Sequence, residues 1–260
     1  MRDGIDDLPL RARARREIYC ATGVSRTCIS SRLDYSHTDH PIVNPKDLEG
    51  HRVGVSRGYS VTTGVWARAI LQEEYGVDLS KVTWVLTGDE HVEAYQAPPN
   101  VESIAAGETI EEQLESGKLA AAINIKPDRS NFRGLIENPH AAGLAAYQDR
   151  GHYPINHLIV IRDAVLDAHP DLAVALFDTF TEAKNQYLQR LSRAMKESPD
   201  ATDELHLRVI ELGGDPLPHG IGPNRQILET LVAHAQTQKI LTQPTEIESL
   251  FAPSTHSLTG

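Results

Sequence analysis

Cysteine is nearly absent from this 260-residue chain. Cys20 and Cys28 are the only two, they form no C-x-x-C pair, and no histidines stand around them at zinc spacing. That argues against a thiolate metal site and against a disulfide framework, leaving free thiols as the expectation and one disulfide as the alternative. Positive charge is also scarce: 25 Lys and Arg face 36 Asp and Glu, a net charge of −11. A general nucleic-acid binder needs concentrated Lys and Arg, and the one basic run, Arg11 to Arg16, is short. Long apolar runs are missing as well. The first twenty residues, MRDGIDDLPLRARARREIYC, contain no secretory-type apolar core, and no later segment is long and apolar enough to span a bilayer, so no membrane association and a cytoplasmic location are expected. The glycines Gly54, Gly58 and Gly64 do not have G-x-G-x-x-G spacing and no Gly-Lys-Ser/Thr follows, which disfavours nucleotide binding. There is no internal repeat and no low-complexity segment.

What remains is ordinary for a globular chain able to bury a substantial core: 40% apolar and 23% charged residues. Residues 1–44 are irregular, and Ile18 to Ala21 is their only plausible strand. From Pro45 the pattern alternates. A strand is expected at Arg52 to Val55, a helix at Thr63 to Tyr75 and a strand at Val82 to Leu86; after a polar loop from Gly88 to Asn100 come a helix at Thr109 to Ser116 and a strand at Leu119 to Ile125. Strand–helix alternation implies a parallel sheet, with ligand loops beyond the carboxyl ends of its strands. Ser56 to Thr63, Gly88 to Glu93 and Asn124 to Asp128 would share that rim. Further on, Arg133 to Asn138 and a polar helix precede a strand at His157 to Arg162. One or two helices over Asp163 to Arg193 follow, with Leu172, Leu176, Phe180, Ala183 and Tyr187 spaced for burial. The loop DPLPHGIGPNR then leads into a helix from Arg225 to Gln238 and an irregular tail.

The segment RVGVSRGYSVTTGVWARAILQEEY, Arg52 to Tyr75, is the most informative. A strand passes through a glycine turn into a helix whose start carries Tyr59, Ser60, Thr62 and Thr63. Backbone N–H groups there lack intrahelical partners and sit at the positive end of the helix dipole, so the turn suits an anion, first of all a carboxylate. The alternative is that Ser60 or Thr62 merely caps the helix.

Four separated blocks resemble one family. PKDLEGHRVGV, GYSVTTGVWARAILQEEYGVD, YPINHLIVIRDAVLDAHPDLAVALFDTFTEAK and PHGIGPNRQILETLVAHAQTQ with the terminal ESLFAPS are similar to the 4,5-dihydroxyphthalate decarboxylases, in order over roughly residues 45 to 253. The resemblance implies an α/β, two-lobed type II periplasmic-binding-protein-like fold with the ligand between the lobes. Residues 1–44 do not show the strand and helix units with which family members begin; only Glu17 to Thr22 is similar to the strand preceding the lobe crossover. An N-terminally shortened, incomplete first lobe is therefore expected. The implied division is a divergent segment 1–44, an α/β lobe 45–155, and 156–260 as crossover strand and C-terminal helices.

The reaction implied is loss of one carboxylate from 4,5-dihydroxyphthalate, giving 3,4-dihydroxybenzoate and carbon dioxide. Such a route needs a base near the phenol, an acid near the ring carbon and fixed positive charge for the carboxylates, and no organic cofactor. His157, just before LIVIR, is the first acid/base candidate, against a structural histidine. His219 in the PHGIGPNR loop is the second, and Glu90 is a candidate base. Arg225, beside Asn224, could clamp a carboxylate or form a surface salt bridge, while Arg57 and Asn124 belong to the expected rim. Trp66 falls on the helix and reads as core. Asp89, Glu90, His91 and Glu93 could take a divalent metal, but a solvated loop is the simpler reading and no metal is assigned. The partner expected is a small aromatic carboxylate. A non-catalytic solute-binding protein and an inactive shortened member stay open as alternatives.

Overall fold

The structure is a computed structural model describing residues 15–18, 33–37, 42–88, 90, 92, 95–125, 132–194 and 199–260. Cys20, Cys28, Asp89, His91, Glu93, Asp128 and the expected strand beyond Ile18 lie outside the described residues. In chain order come β1 (Arg15–Ile18), β2 (Leu33–His37), β3 (Arg52–Val55), α1 (Thr62–Tyr75), β4 (Thr83–Leu86), β5 (Val101–Ser103), α2 (Ile110–Glu115), β6 (Ala121–Ile123) and β7 (Phe132–Gly134). Then follow α3 (Pro139–Arg150), β8 (Ile159–Arg162), α4 (Asp163–Ala168), α5 (Leu172–Ala194), α6 (Ala201–Glu211) and α7 (Ile221–Thr237).

The described residues fall into two compact units. One holds those up to Ala146 apart from β1, together with Ala233–Gln243; the other holds β1, Tyr147–Val232 and Pro244–Gly260. The first is built on a six-stranded sheet of order β5-β4-β3-β6-β2-β7. Strands β5, β4, β3 and β6 run parallel, as alternation of strand and helix requires, whereas β2 is antiparallel to both β6 and β7. Neither β2 nor β5 is among the expected strands. Both are short and polar in sequence, LDYSH and VES, so they lack the apolar signature by which a strand is read from sequence.

Local sequence explains the first unit's elements. Strand β3, with Val53 and Val55 buried, lies between β4 and β6, and the absence of a side chain at Gly54 permits close packing: a Cβ there would stand 2.9 Å from Leu119 Cδ1 and 3.2 Å from Ile110 Cγ2. Helix α1 is buried continuously from Gly64 to Leu71 and turns polar only at Gln72-Glu73-Glu74. It ends at Gly76, whose left-handed φ of 65° lets Val77 N–H reach Leu71 O at 3.0 Å. Helix α2 is opened by a capping box in which Thr109 and Glu112 exchange side-chain and backbone bonds. Its Ile110 and Leu114 join Val85, Leu119, Ala122, Ile125 and Phe132 in one apolar cluster.

In the second unit β1 pairs antiparallel with β8, joining the expected crossover strand to the Glu17 region in a separate two-stranded sheet. Helix α5 buries Ala173, Phe177, Lys184 and Leu191; of the expected stripe, Leu172, Leu176 and Phe180 are partly buried and pack against the Ala173 and Phe177 cluster, Tyr187 is half-buried and Ala183 is exposed. Lys184 takes a buried position because its donors are met: Nζ donates to Asp215 Oδ2 at 2.5 Å and Gly260 O at 2.8 Å. Helix α7 starts at Ile221, four residues before the expected Arg225, because Pro223 in a first turn is compatible with a helix although Gly-Ile-Gly-Pro reads as loop. Near α6, the Tyr187 hydroxyl stands 2.8 Å from both Asp203 Oδ1 and His206 Nδ1, and burial pulls the His206 imidazole below its ordinary value of 6.5.

Two outcomes are expected. Gly54→Val should lower stability by about 1–3 kcal/mol through overpacking between β3 and α2, read as a lower urea midpoint with unchanged slope. His206 is held neutral in the fold while the unfolded chain takes up a proton, so stability should fall as pH drops below about 6.5. His206→Gln should flatten that decline in unfolding midpoints measured across the interval.

Candidate functional site

The chain leaves β3 toward β4 on one side and returns in β6 on the other, which makes the carboxyl ends of β3 and β6 the topological switch point of the parallel strands. Sheet pairing brings the expected rim together at this place. Ser56 N–H donates to Ile123 O at 3.2 Å, Arg57 N–H to Thr87 Oγ1 at 3.0 Å and Thr87 N–H to Val55 O at 3.2 Å. Among the described residues three non-glycines have positive φ, and two of them are Arg57 (78°) after β3 and Asn124 (59°) after β6. Such backbone is held only where surrounding contacts enforce it.

From Arg57 the chain enters α1 through Gly58, Tyr59, Ser60 and Val61. The residue flanking the helix is Val61, and it makes no side-chain cap, so neither Ser60 nor Thr62 serves as the cap. A carboxylate from another segment sits at the turn instead. Glu90 accepts hydrogen bonds from Tyr59 N–H, from Ser60 N–H at 3.1 Å and from Ser60 Oγ at 2.5 Å. The turn holds an anion, as its donors suggest, and that anion belongs to the chain itself. Three donors on one carboxylate tie Glu90 to the turn. Thr62 and Thr63, half-buried, complete the opening of α1.

Behind this turn lies a group the sequence reading did not single out. Arg68 is 0% exposed, lies 3.8 Å from the centre of the Tyr59 ring, and donates from Nη2 to Tyr59 O at 2.5 Å and from Nε to Gln238 Oε1 at 2.8 Å. Gln238 in turn donates to Val65 O at 3.0 Å. Burial pulls the guanidinium down to about 10, with Tyr59, Tyr95 and Glu90 acting in the opposite sense, so it stays charged at neutral pH. The Tyr59 hydroxyl is raised by burial against the pull of Arg68, and Tyr95 is raised by burial with Tyr59 and Glu90 adding to it. The available signal was an arginine inside an otherwise apolar helical run, VWARAIL. Trp66 is core, 2% exposed, with its ring edge-on to His234.

The other candidates belong to the second unit. His157 is exposed in the extended stretch before β8. His219 is buried, edge-on to Phe177, with Nδ1 3.3 Å from Thr181 Oγ1. Asn224, also buried, braces the same loop by donating to Pro218 O and Gly220 O, both at 2.9 Å. Arg225 is exposed and paired with Glu248 and, at 3.5 Å, Glu229, which is the surface salt-bridge arrangement. Among the described residues no group of three or more His, Cys, Asp or Glu could hold a metal, and no helix is long and apolar enough to cross a membrane.

No protein-family model matches the chain. It is 29% identical over 242 residues, 85% of this chain and 71% of the relative, to a Comamonas testosteroni protein named 4,5-dihydroxyphthalate decarboxylase. A Pseudomonas putida protein of the same name is 36% identical over 96 residues, 34% of this chain and 37% of the relative. The solved structures similar to the chain at low identity include three of note. They are the desulfurization enzyme DszB (15% identity, 92% of this chain and 76% of that one, TM-score 0.43), the alkanesulfonate-binding protein SsuA of Xanthomonas axonopodis pv. citri (12%, 92% and 73%, 0.48) and SsuA of Escherichia coli (11%, 90% and 79%, 0.46). In sequence, then, the chain is similar to two proteins named 4,5-dihydroxyphthalate decarboxylase.

Proposed function

We propose that this chain is a carboxy-lyase that converts 4,5-dihydroxyphthalate to 3,4-dihydroxybenzoate and carbon dioxide. The observation carrying the reading is the homology over 242 residues to a protein of that name. Its physical support is the Tyr59–Ser60 turn, whose N–H and hydroxyl donors already hold a carboxylate at the switch point of the sheet, backed by a buried guanidinium.

The chemistry sets what the residues must do. Each carboxylate of the substrate is para to one ring hydroxyl. Loss of the hydroxyl proton sends electron density onto the ring carbon bearing the carboxylate, and that carbon takes up a proton. The bond to the carboxylate then breaks, its electron pair returns to the ring, and carbon dioxide leaves. Per turnover one proton is consumed and ring aromaticity is restored. Fixed donors that hold the departing and the remaining carboxylate in place contribute orientation, and a positioned acid contributes the proton. The turn and Arg68 are assigned the holding role. The acid/base candidates are His157, which is exposed, and, second, His219, which is buried; both belong to the second unit. Asn124, Arg57, Asn224 and Arg225 stay substrate-binding candidates, the first two on the same rim as the turn.

The test is carbon dioxide release from 4,5-dihydroxyphthalate by the purified chain. Turnover is expected, and His157→Ala should lower kcat by about 10²-fold with little change in KM. Saturable stabilisation by the compound without turnover would instead indicate a binding protein and overturn the proposal. Because Gln238 is the acceptor for Arg68 Nε, Gln238→Ala should leave part of a buried cation unpaired and cost about 1–3 kcal/mol of stability in chemical denaturation.

A further inference from the structure

Two buried groups beside the α1 turn lack what their chemistry demands. Arg68 Nη1 has no hydrogen-bond partner among the described residues although the side chain is 0% exposed, and the buried Tyr95 hydroxyl has none either. Nη1 is directed at the first turn of α1: a Cβ on Gly64 would stand 3.1 Å from it, so the glycine makes the approach possible. The same guanidinium binds Tyr59 O through Nη2, and thus spans the turn whose N–H groups Glu90 occupies. An orphaned buried donor on a charged group is costly, and native structures tolerate few of them without a functional reason. Both orphans can donate, and what both lack is an acceptor.

Resting on the decarboxylase reading, we propose that Glu90 is a built-in competitor. Its carboxylate occupies the seat made by Tyr59 N–H, Ser60 N–H and Ser60 Oγ, and an incoming aromatic carboxylate displaces it and supplies the acceptor that Arg68 Nη1 and the Tyr95 hydroxyl lack. The exchange replaces one carboxylate by another, so the turn's donors are never left empty and Arg68 never loses a compensating anion. What the ligand adds over Glu90 is the pair of unmet donors, and only that difference drives displacement. Apparent affinity is then reduced by the fraction of molecules in which Glu90 already fills the seat. The ligand class selected is an aromatic carboxylate: one oxygen pair for the turn, and a ring beside Tyr59 and Tyr95. Glu90 is accordingly a residue that tunes affinity, in contrast to a general base.

The experiment uses phthalate, which lacks the ring hydroxyls and so cannot follow the decarboxylation route, titrated calorimetrically into the wild type, Glu90→Gln and Tyr95→Phe. Glu90→Gln is expected to bind phthalate about tenfold more tightly, the factor for a seat that is free about one-tenth of the time. Unchanged or weaker binding in that variant overturns the proposal, as does binding by neither protein. Tyr95→Phe removes only an unpartnered hydroxyl; it should keep the wild-type melting temperature and bind phthalate roughly tenfold more weakly, and unchanged affinity there overturns the proposal even if Glu90→Gln does not fold. Turnover of 4,5-dihydroxyphthalate separates the two readings. Wild-type turnover with a collapse of kcat and unaltered phthalate affinity in Glu90→Gln makes Glu90 a base and sinks the competitor alone. Tightened phthalate binding without wild-type turnover sinks the decarboxylase and leaves the seat.

Discussion

A single buried cation organises the candidate site. Arg68 lies within the apolar half of α1, with its charge compensated by the Tyr59 carbonyl and ring, the Gln238 side chain and the nearby Glu90 carboxylate. A guanidinium out of water costs several kcal/mol unless its donors are met, so each partner is fixed in place by the need to meet them. That constraint holds the turn between β3 and α1, pins Gln238 beside Val65, and keeps an anion-seeking field at the helix start. The orphaned Nη1 is the part of the arrangement that stability alone does not explain.

The sheet supplies the other constraint. Parallel strands β4, β3 and β6 end on one rim, and Ser56, Arg57, Thr87 and Asn124 follow their carboxyl ends at the switch point. Positive φ at Arg57 and Asn124 shows backbone bent away from its ordinary preference on both sides of that point. Gly88 contributes by closeness: a side chain there would meet Arg57 Cα at 3.1 Å, so the loop after β4 can lie against the turn after β3 and deliver Glu90 to it. Chemistry thus gathers at the rim through backbone geometry more than through side-chain spacing.

Much of this was legible beforehand for stated reasons. The β3–turn–α1 unit announced itself because apolar residues, glycines and hydroxyls fall in an order that admits few local structures, and α2 falls within the expected Thr109 to Ser116. Strands β2 and β5 were not legible, since LDYSH and VES carry no apolar alternation and become strands only because a sheet edge or gap offers hydrogen-bond partners. On α5 the expected Leu172, Leu176 and Phe180 pack against the core, but the burial of Lys184 was not legible, since its partners Asp215 and Gly260 lie far along the chain. Helix α7 begins at Ile221, earlier than the loop-like Gly-Ile-Gly-Pro suggests, because Pro223 is tolerated in a first turn.

The amino-acid order by itself determined that an anion-attracting helix start follows β3, that the strands alternate with helices into a largely parallel sheet, and which family the chain resembles. These depend on neighbours within a few residues of one another, or on matching blocks, and need no knowledge of distant contacts. Tertiary structure alone decided that Glu90, thirty residues from Ser60, fills the turn, and that Arg68 and Gln238, 170 apart, share a buried hydrogen bond. Pairings across such separations are set by how the sheet and helices close on each other, a property of the whole packed chain that no local pattern encodes.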